Sequence, residues 1–354
     1  MKKNLFRVIG VMSGTSLDGI DLVLVEFEYQ GVWRYNIKHS ETVKYPDTWY
    51  QILKDLVKFS DDQLQVIDTD YTTFLTEVIQ GFINKFQIKD FDAICSHGHT
   101  AKHEPDKGYT YQIGNLPILA KKLGQAVVCD FRVQDVALGG QGAPLVPIGD
   151  KLLFSDFDFC LNLGGFANVS FSRDGERVAY DICPVNIVLN HYAKQLGFDY
   201  DDGGSIASNA SLDEPLLRAL NGLNFYKQTF PKSLGIEWVH SEIFPLINEK
   251  DISTEVVLRT LTEHISDQIG LAIKMKPEAS VLITGGGAYN TFLIQRIKEK
   301  TLNRLHIPDR TLIEFKEAII FGFLGVLKLR NEVNCLKSVT GASKNHSSGK
   351  IFTP

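Results

Sequence analysis

The chain has 354 residues, 44% of them hydrophobic and 22% charged, and a formal net charge of −5. That length suits two domains better than one core, and the mild acidity leaves no basic field for nucleic acid and no polybasic segment for a membrane surface. No apolar run approaches the roughly 18 residues of a membrane-spanning helix, so no membrane association is expected.

The basic start, Met1-Lys2-Lys3-Asn4-Leu5, lacks the apolar stretch of a signal peptide and reads as the edge of a strand. The apolar run Phe6–Val11 then enters Ser13-Gly14-Thr15-Ser16-Leu17-Asp18-Gly19, and Ile20–Phe27 leaves it. This is strand, tight turn, strand, with a tip too polar for a core. The tip can aim N–H groups and hydroxyls at phosphate oxygens. Asp18, repelled by phosphate, can hold Mg²⁺ through water. An ordinary hairpin turn has the same composition, and no Lys-Ser/Thr of a phosphate loop follows.

Val32–Val43 reads as a third strand, and Pro46 starts a helix through Val57. Ser60-Asp61-Asp62 caps a second helix reaching about Phe86. Short strands are expected at Phe91–Cys95, Tyr109–Ile113 and Ala126–Cys129, with a helix at Leu116–Leu123 closed by Gly124. The loop Leu138–Pro147, rich in Gly and Pro, reads as the crossing between domains 1–150 and 151–354. The opening pattern then repeats: strand Phe159–Leu163, turn Gly164-Gly165, return strand Ala167–Ser172, third strand Arg177–Ile182. Helices are expected at Asn186–Leu196, Leu212–Leu220, Ser253 to about Met275, Phe292–Lys300 and Lys316–Leu329, with strands at Ser280–Thr284 and Arg304–Ile307. Asp201–Asn209 and Pro231–His240 read as loops, and the last twenty residues as a surface tail. Alternating strands and helices imply an α/β fold with a largely parallel sheet and functional loops at strand ends.

Three glycine turns, Ser13–Gly19, Asn162–Asn168 and Thr284–Asn290, each follow an apolar strand. Together they point to one nucleotide gripped from both sides of a cleft. The first two would hold phosphates, and the third would pack against base or ribose. Asp181 ends an apolar strand, where a carboxylate serves either as a base toward water or a hydroxyl, or as a turn or helix-capping residue. Glu317 opens the last buried helix, where it is either functional or a partner of the helix N-terminus. His97, His99 and His103 do not have the spacing of a zinc site. Their loop reads as a polar substrate pocket with Arg132 as a fork donor. The cysteines Cys95, Cys129, Cys160, Cys183 and Cys335 are odd in number and widely spaced. They read as buried free thiols of a cytoplasmic protein rather than disulfides or a zinc site.

In order along nearly the whole chain, Gly10–Asp21, Ser96-His-Gly-His-Thr100 with His103, Asp130-Phe-Arg132, Gly139–Pro147, Asn162–Asn168, Asp181 with Pro184 and Asn186, Thr284–Asn290 and Lys316-Glu-Ala318 resemble the anhydro-N-acetylmuramic acid kinase family. The resemblance implies two actin-like ATPase (ribonuclease H-like) domains with a central nucleotide cleft, and a homodimer. It also implies ATP and Mg²⁺, and the conversion of 1,6-anhydro-N-acetylmuramic acid to N-acetylmuramic acid 6-phosphate in murein recycling. By motif match, Asp181 is the base that activates water and Glu317 assists it. Ser13, Gly14, Thr15, Ser16, Asp18, Gly19, Asn162, Gly164, Gly165, Asn168, Gly285, Gly286, Gly287 and Asn290 hold the nucleotide and its metal. His97, Arg132, Asp135 and Asn186 contact the sugar. A kinase for another amino sugar, or a non-catalytic nucleotide or muropeptide sensor on this scaffold, is the alternative. Where the family has Thr-Gly after the aspartate this chain has Ile182-Cys183, which is expected to set a thiol beside the base.

Overall fold

The structure, a computed structural model, describes residues 3–14 and 16–354. Two compact units emerge: the chain up to Leu153 together with Phe315–Pro354, and Phe154–Glu314. Strands β1 (Leu5–Ser13), β2 (Ile20–Tyr29), β3 (Trp33–Val43), β4 (Ala93–Ser96), β5 (His99–Glu104), β6 (Tyr109–Ile113) and β7 (Val127–Cys129) precede β8 (Phe159–Leu163), β9 (Phe166–Arg173), β10 (Glu176–Pro184), β11 (Ser280–Thr284), β12 (Arg304–His306) and β13 (Lys350–Phe352).

The main sheet of the first unit has the order β13-β7-β4-β1-β2-β3, and β5-β6 form a separate hairpin. The sheet of the second unit has the order β10-β9-β8-β11-β12. Each unit therefore runs third, second, first, fourth, fifth strand, with the first three antiparallel and the next two parallel, and the first unit adds β13 antiparallel at the β7 edge. This is the ribonuclease H-like order of the actin-like ATPases, and it explains the repeated opening pattern in the sequence. β1 lies between neighbours, and its Phe6, Val8, Ile9 and Val11 are all buried. β3 is an edge strand and keeps alternate charged and polar residues outward.

The helix Asp61–Lys85 starts at a full capping box. Ser60 Oγ accepts from Gln63 N–H at 3.3 Å, and Gln63 Oε1 accepts from Ser60 N–H at 2.9 Å. Its Leu64, Tyr71, Leu75, Ile79 and Phe82 enter the core with Ile9, Val11, Leu22 and Ile94. In the second unit the helix Thr254–Ile273 does the same service through Leu258, Leu261, Ile265 and Ile269, against Leu161, Val169 and Ile283.

The expected second domain ran to the C-terminus; residues from Phe315 onward belong instead to the first unit. The cause lies in the helix Arg310–Leu329. Small residues at Ala318, Gly322 and Gly325 recur near helical spacing and let its backbone lie on the first unit's sheet. A Cβ on Gly10 would stand 2.1 Å from Ala318 O, and one on Gly325 would stand 2.1 Å from Cys95 Sγ. The helix also begins six residues before the expected Lys316, so Glu317 sits in its interior and cannot act as a partner of its N-terminus.

The last twenty residues are not a loose tail. β13 pairs with β7, and Thr340, His346 and Ser348 are buried, as is Asn334 just before the segment. Their polarity misleads because it is satisfied internally: Asn334 Nδ2 donates to Leu324 O (3.0 Å) and Ser348 O (2.9 Å), and Ser348 Oγ donates to Phe131 O (2.5 Å). The region read as a loop at Pro231–His240 contains helical turns from Ile236 onward, and Ser205–Asn209 is a short helix.

Candidate active site

In the second unit four polar residues form one row across the sheet. Asp181 of β10 lies opposite Asn168 of β9, Asn168 opposite Asn162 of β8, and Asn162 beside Thr284 of β11. Directly paired residues share a face, so motifs more than a hundred positions apart in sequence meet here. Thr284 is fully buried, and its hydroxyl has no hydrogen-bond partner among the described residues. A buried hydroxyl left unpaired is costly unless a ligand completes it.

The glycine turns close on the same row. Gly164 O accepts from Asn186 N–H (3.2 Å), and Gly165 O accepts from Val185 N–H (2.8 Å). The second turn thus satisfies the start of the helix Asn186–Gln195. Asn186 Nδ2 donates to Leu163 O at 3.3 Å. A Cβ on Gly287 would lie 2.8 Å from Leu163 Cβ and 3.5 Å from Asn186 Oδ1. Asn186, expected at the sugar, therefore sits among the glycine turns of this unit. Gly286 is exposed, and Asn290 is spent as an N-cap, accepting from Leu293 N–H at 2.9 Å.

Gly285 has φ +83° and ψ 161°, a combination open essentially to glycine alone. An added Cβ would stand 2.6 Å from Asn162 Oδ1 and 2.8 Å from the Leu163 backbone. Gly285→Ala is expected to cost about 1–3 kcal/mol from the backbone conformation alone and to push Asn162 out of the row. Melting and nucleotide titration check this; unchanged nucleotide affinity would separate this turn from the ligand.

Asp181 is half-buried. Its N–H donates to Lys232 O (3.1 Å), and its Oδ2 accepts from Leu234 N–H (2.9 Å). Oδ1 has no partner among the described residues. Burial pushes the carboxyl above the usual aspartate range, opposed by the Leu234 N–H. Asp181 does not cap the following helix, whose N-cap, Val185, makes no side-chain cap bond. Register shifts between Asp181 and Cys183, and Ile182 and Cys183 both face the apolar core. Cys183 is fully buried, and burial drives its thiol pKa upward, so it presents no thiolate beside Asp181.

In the first unit, β4 and β7 are parallel neighbours, so the residues after them come together. Arg132 Nε donates to His97 Nε2 at 2.8 Å, and His97 Nδ1 donates to Gly98 O at 2.8 Å. The arginine can only donate, so His97 is fixed as the neutral Nδ1–H tautomer. Burial and the nearby guanidinium hold its pKa well below the usual value. Arg132 Nη1 donates to Gly142 O (2.5 Å), and burial brings the arginine down to about 10, with Glu317 pulling the other way. Nη2 has no partner among the described residues. Glu317 retains water-accessible surface while desolvation raises its carboxyl, opposed by Arg132 and Lys316. The neighbouring Lys316 is held in a buried pair with Asp150 at 2.7 Å.

Asp135 lies behind this cluster, fully buried. Oδ2 accepts from Gly142 N–H (2.7 Å), and Oδ1 accepts from Thr340 Oγ1 (2.8 Å). It therefore fixes the loop whose Gly142 carbonyl holds Arg132. Two buried acceptors were missed in the sequence: Gln112 Oε1 and Asn115 Oδ1 have no partner among the described residues, and Asn115 joins the site by donating from Nδ2 to His97 O at 3.2 Å. The signal for Asn115 was its place just after Gly114, between a strand and a helix.

At the β1–β2 hairpin, Ser13 Oγ bonds Tyr45 Oη (2.6 Å), Tyr71 Oη (2.7 Å) and His99 Nδ1 (2.8 Å). One hydroxyl has a single donor and two acceptor sites, so Ser13 has no side-chain capacity left. Burial lowers His99 to about 4. Gly14 O accepts from Leu17 N–H at 3.2 Å, Gly19 is buried against the end of β3, and Ser16 and Asp18 are exposed. Thr15 lies outside the described residues.

A family model described as anhydro-N-acetylmuramic acid kinase matches residues 6–354. The anhydro-N-acetylmuramic acid kinase of Shewanella sediminis (strain HAW-EB3) is 32% identical over 379 residues, covering 99% of each chain. That of Pseudomonas fluorescens (strain Pf0-1) is 33% identical over 364 residues, covering 97% of this chain and 98% of the other. Among solved structures, the activator of the 2-hydroxyisocaproyl-CoA dehydratase from Clostridium difficile with bound ADPNP has a TM-score of 0.47 at 13% identity, covering 92% of this chain and 97% of that one.

Proposed function

The chain belongs to the anhydro-N-acetylmuramic acid kinase family, and we propose that it converts 1,6-anhydro-N-acetylmuramic acid and ATP to N-acetylmuramic acid 6-phosphate and ADP, opening the anhydro bond in the same reaction. The observation that carries this reading is Asp181: one carboxylate oxygen anchored by Leu234 N–H, the other unpartnered, at the end of a polar row that meets two glycine turns.

The substrate dictates the order of events. Its O6 is tied to C1, so no free 6-hydroxyl exists until that bond breaks. Asp181 takes a proton from a water whose oxygen bonds to C1. The C1–O6 bond breaks with its electron pair going to O6, which then accepts the phosphoryl group as ADP leaves. One carboxylate directing water to the far face of a sugar is the logic of inverting glycoside hydrolysis. We assign Glu317 an assisting role in the ring opening. His97 and Arg132 would contact the sugar, with the buried acceptors Gln112 and Asn115 suited to its hydroxyls.

Asn162, Asn168, Thr284 and Gly285–Gly287 would hold the nucleotide. Asp18, an exposed carboxylate at the hairpin tip, suits a hydrated Mg²⁺. When bound, that ion would neutralise phosphate charge during transfer. We further propose a cytoplasmic homodimer acting in murein recycling. The five cysteines are free and buried, as a reducing compartment would have them.

The direct test is ADP release with ATP, Mg²⁺ and the anhydro sugar, beside no-sugar and N-acetylmuramic acid controls. Release only with the anhydro sugar supports the proposal; release with another amino sugar instead would replace the substrate. The pH dependence carries a sign. A base works only when ionised, and burial raises the proton affinity of Asp181. Turnover should fall toward acid through a limb above the ordinary aspartate value of about 4. A limb at or below that value contradicts the assignment.

A further inference from the structure

We propose that Asp135, Cys335 and His346 form a binding site for one transition-metal ion of the zinc class, separate from the groups assigned to ATP and its Mg²⁺. Among the described residues these are the one group of three metal-ligating side chains whose donor atoms all lie within 4.8 Å of one another, and all three are buried.

The backbone presets the site. Cys335 and His346 face each other in an isolated antiparallel bridge, Cys335 N–H donating to His346 O (3.1 Å) and His346 N–H to Cys335 O (3.2 Å). Asp135 is fixed from its other side by Gly142 N–H. His346 Nδ1 donates to Lys344 O at 3.1 Å, which leaves Nε2 as the ligating nitrogen of the neutral ring. That Nε2 lies 3.5 Å from Asp135 Oδ1 and has no hydrogen-bond partner among the described residues. A buried imidazole nitrogen without a partner is costly, and a cation held among Nε2, Sγ and the carboxylate would satisfy it. An imidazole whose far nitrogen is held by a backbone carbonyl is the usual arrangement of a ligating histidine.

The donor set selects the ion. Thiolate, imidazole and carboxylate together suit zinc and its neighbours, whereas Mg²⁺ and Ca²⁺ take oxygen alone. Cys335 Sγ lies 3.0 Å from Asp135 Oδ1, to which its thiol now donates. Uptake replaces that proton: the metal–sulfur bond forms, the S–H bond breaks, and one proton leaves to solvent. Thr340 Oγ1 donates to the same Oδ1 at 2.8 Å and helps to hold the carboxylate.

The test uses the full-length protein, freed of metal by a chelator and titrated with Co²⁺ and then Zn²⁺. One equivalent of Co²⁺ should give near-ultraviolet thiolate-to-metal absorption, release one proton, and be displaced by Zn²⁺. Cys335→Ser should abolish the absorption, and His346→Gln should weaken Co²⁺ binding at least tenfold. Circular dichroism on both variants establishes that they fold, and either folded variant suffices for the comparison. No such absorption at millimolar Co²⁺ would overturn the proposal. So would absorption that persists in Cys335→Ser, or an affinity unchanged in His346→Gln.

Discussion

Asp181→Asn should lower sugar-dependent ADP release by about 10²–10⁴-fold, the usual contribution of a general base, while leaving the protein at least as stable. The two halves of this expectation have different origins. The amide cannot take a proton from water, so the ring-opening step loses its base. The amide oxygen can still accept from Leu234 N–H, so the anchor at 2.9 Å survives. Burial disfavours the ionised carboxylate of Asp181, and a neutral amide removes that penalty. At neutral pH the variant should therefore melt at or slightly above the parent temperature. Activity within tenfold of the parent, in protein that melts normally, would remove Asp181 from the chemistry.

Asp135→Ala should act in the opposite way, chiefly through structure. Gly142 N–H and the Cys335 thiol each lose their acceptor in the interior, and the Thr340 hydroxyl keeps only Leu336 O at 3.3 Å. Each such loss costs about 1–3 kcal/mol, and together they should lower the melting temperature by on the order of 10 °C. Arg132 Nη1 depends on Gly142 O, so the loop's loosening should also raise KM for the sugar more than it lowers kcat. Asp135→Asn keeps one acceptor oxygen and should recover part of the stability. A melting temperature unchanged in Asp135→Ala would show that the loop is held without this carboxylate.

Local features were the most legible in the sequence. β6, β8 and β11 coincide with the expected runs Tyr109–Ile113, Phe159–Leu163 and Ser280–Thr284. Each is a short run that ends at a glycine, which leaves little choice of where it stops. The repeated strand–turn–strand opening likewise reported a real duplication, because both copies must build the same antiparallel half of a sheet. Composition failed where polar residues fold inward. Thr340, His346 and Ser348 read as surface residues, yet they are buried and bonded to backbone. No local pattern announces that Ser348 will bond to Phe131 O, 217 positions earlier, or that β13 will pair with β7.

The same limit governed the sites. The glycine turns and Asp181 stood out because glycine clusters and strand-end carboxylates are local signals. Their meeting in one row is a matter of strand order, which the sequence encodes only through the whole fold. Ser13 shows the converse: a hydroxyl in a glycine turn reads as a phosphate donor, but three distant side chains saturate it. Ile182 and Cys183, which stood next to the base in sequence, point into the core instead.

The measurement closest to the central claim is the reaction run in ¹⁸O-labelled water with 1,6-anhydro-N-acetylmuramic acid and ATP, with the product examined by mass spectrometry before the anomeric oxygen exchanges. The account predicts a 6-phosphorylated sugar carrying one ¹⁸O at C1 and none in its phosphate, formed in step with ADP. A phosphorylated sugar without label at C1, or ADP formed with inorganic phosphate and unchanged anhydro sugar, would contradict it.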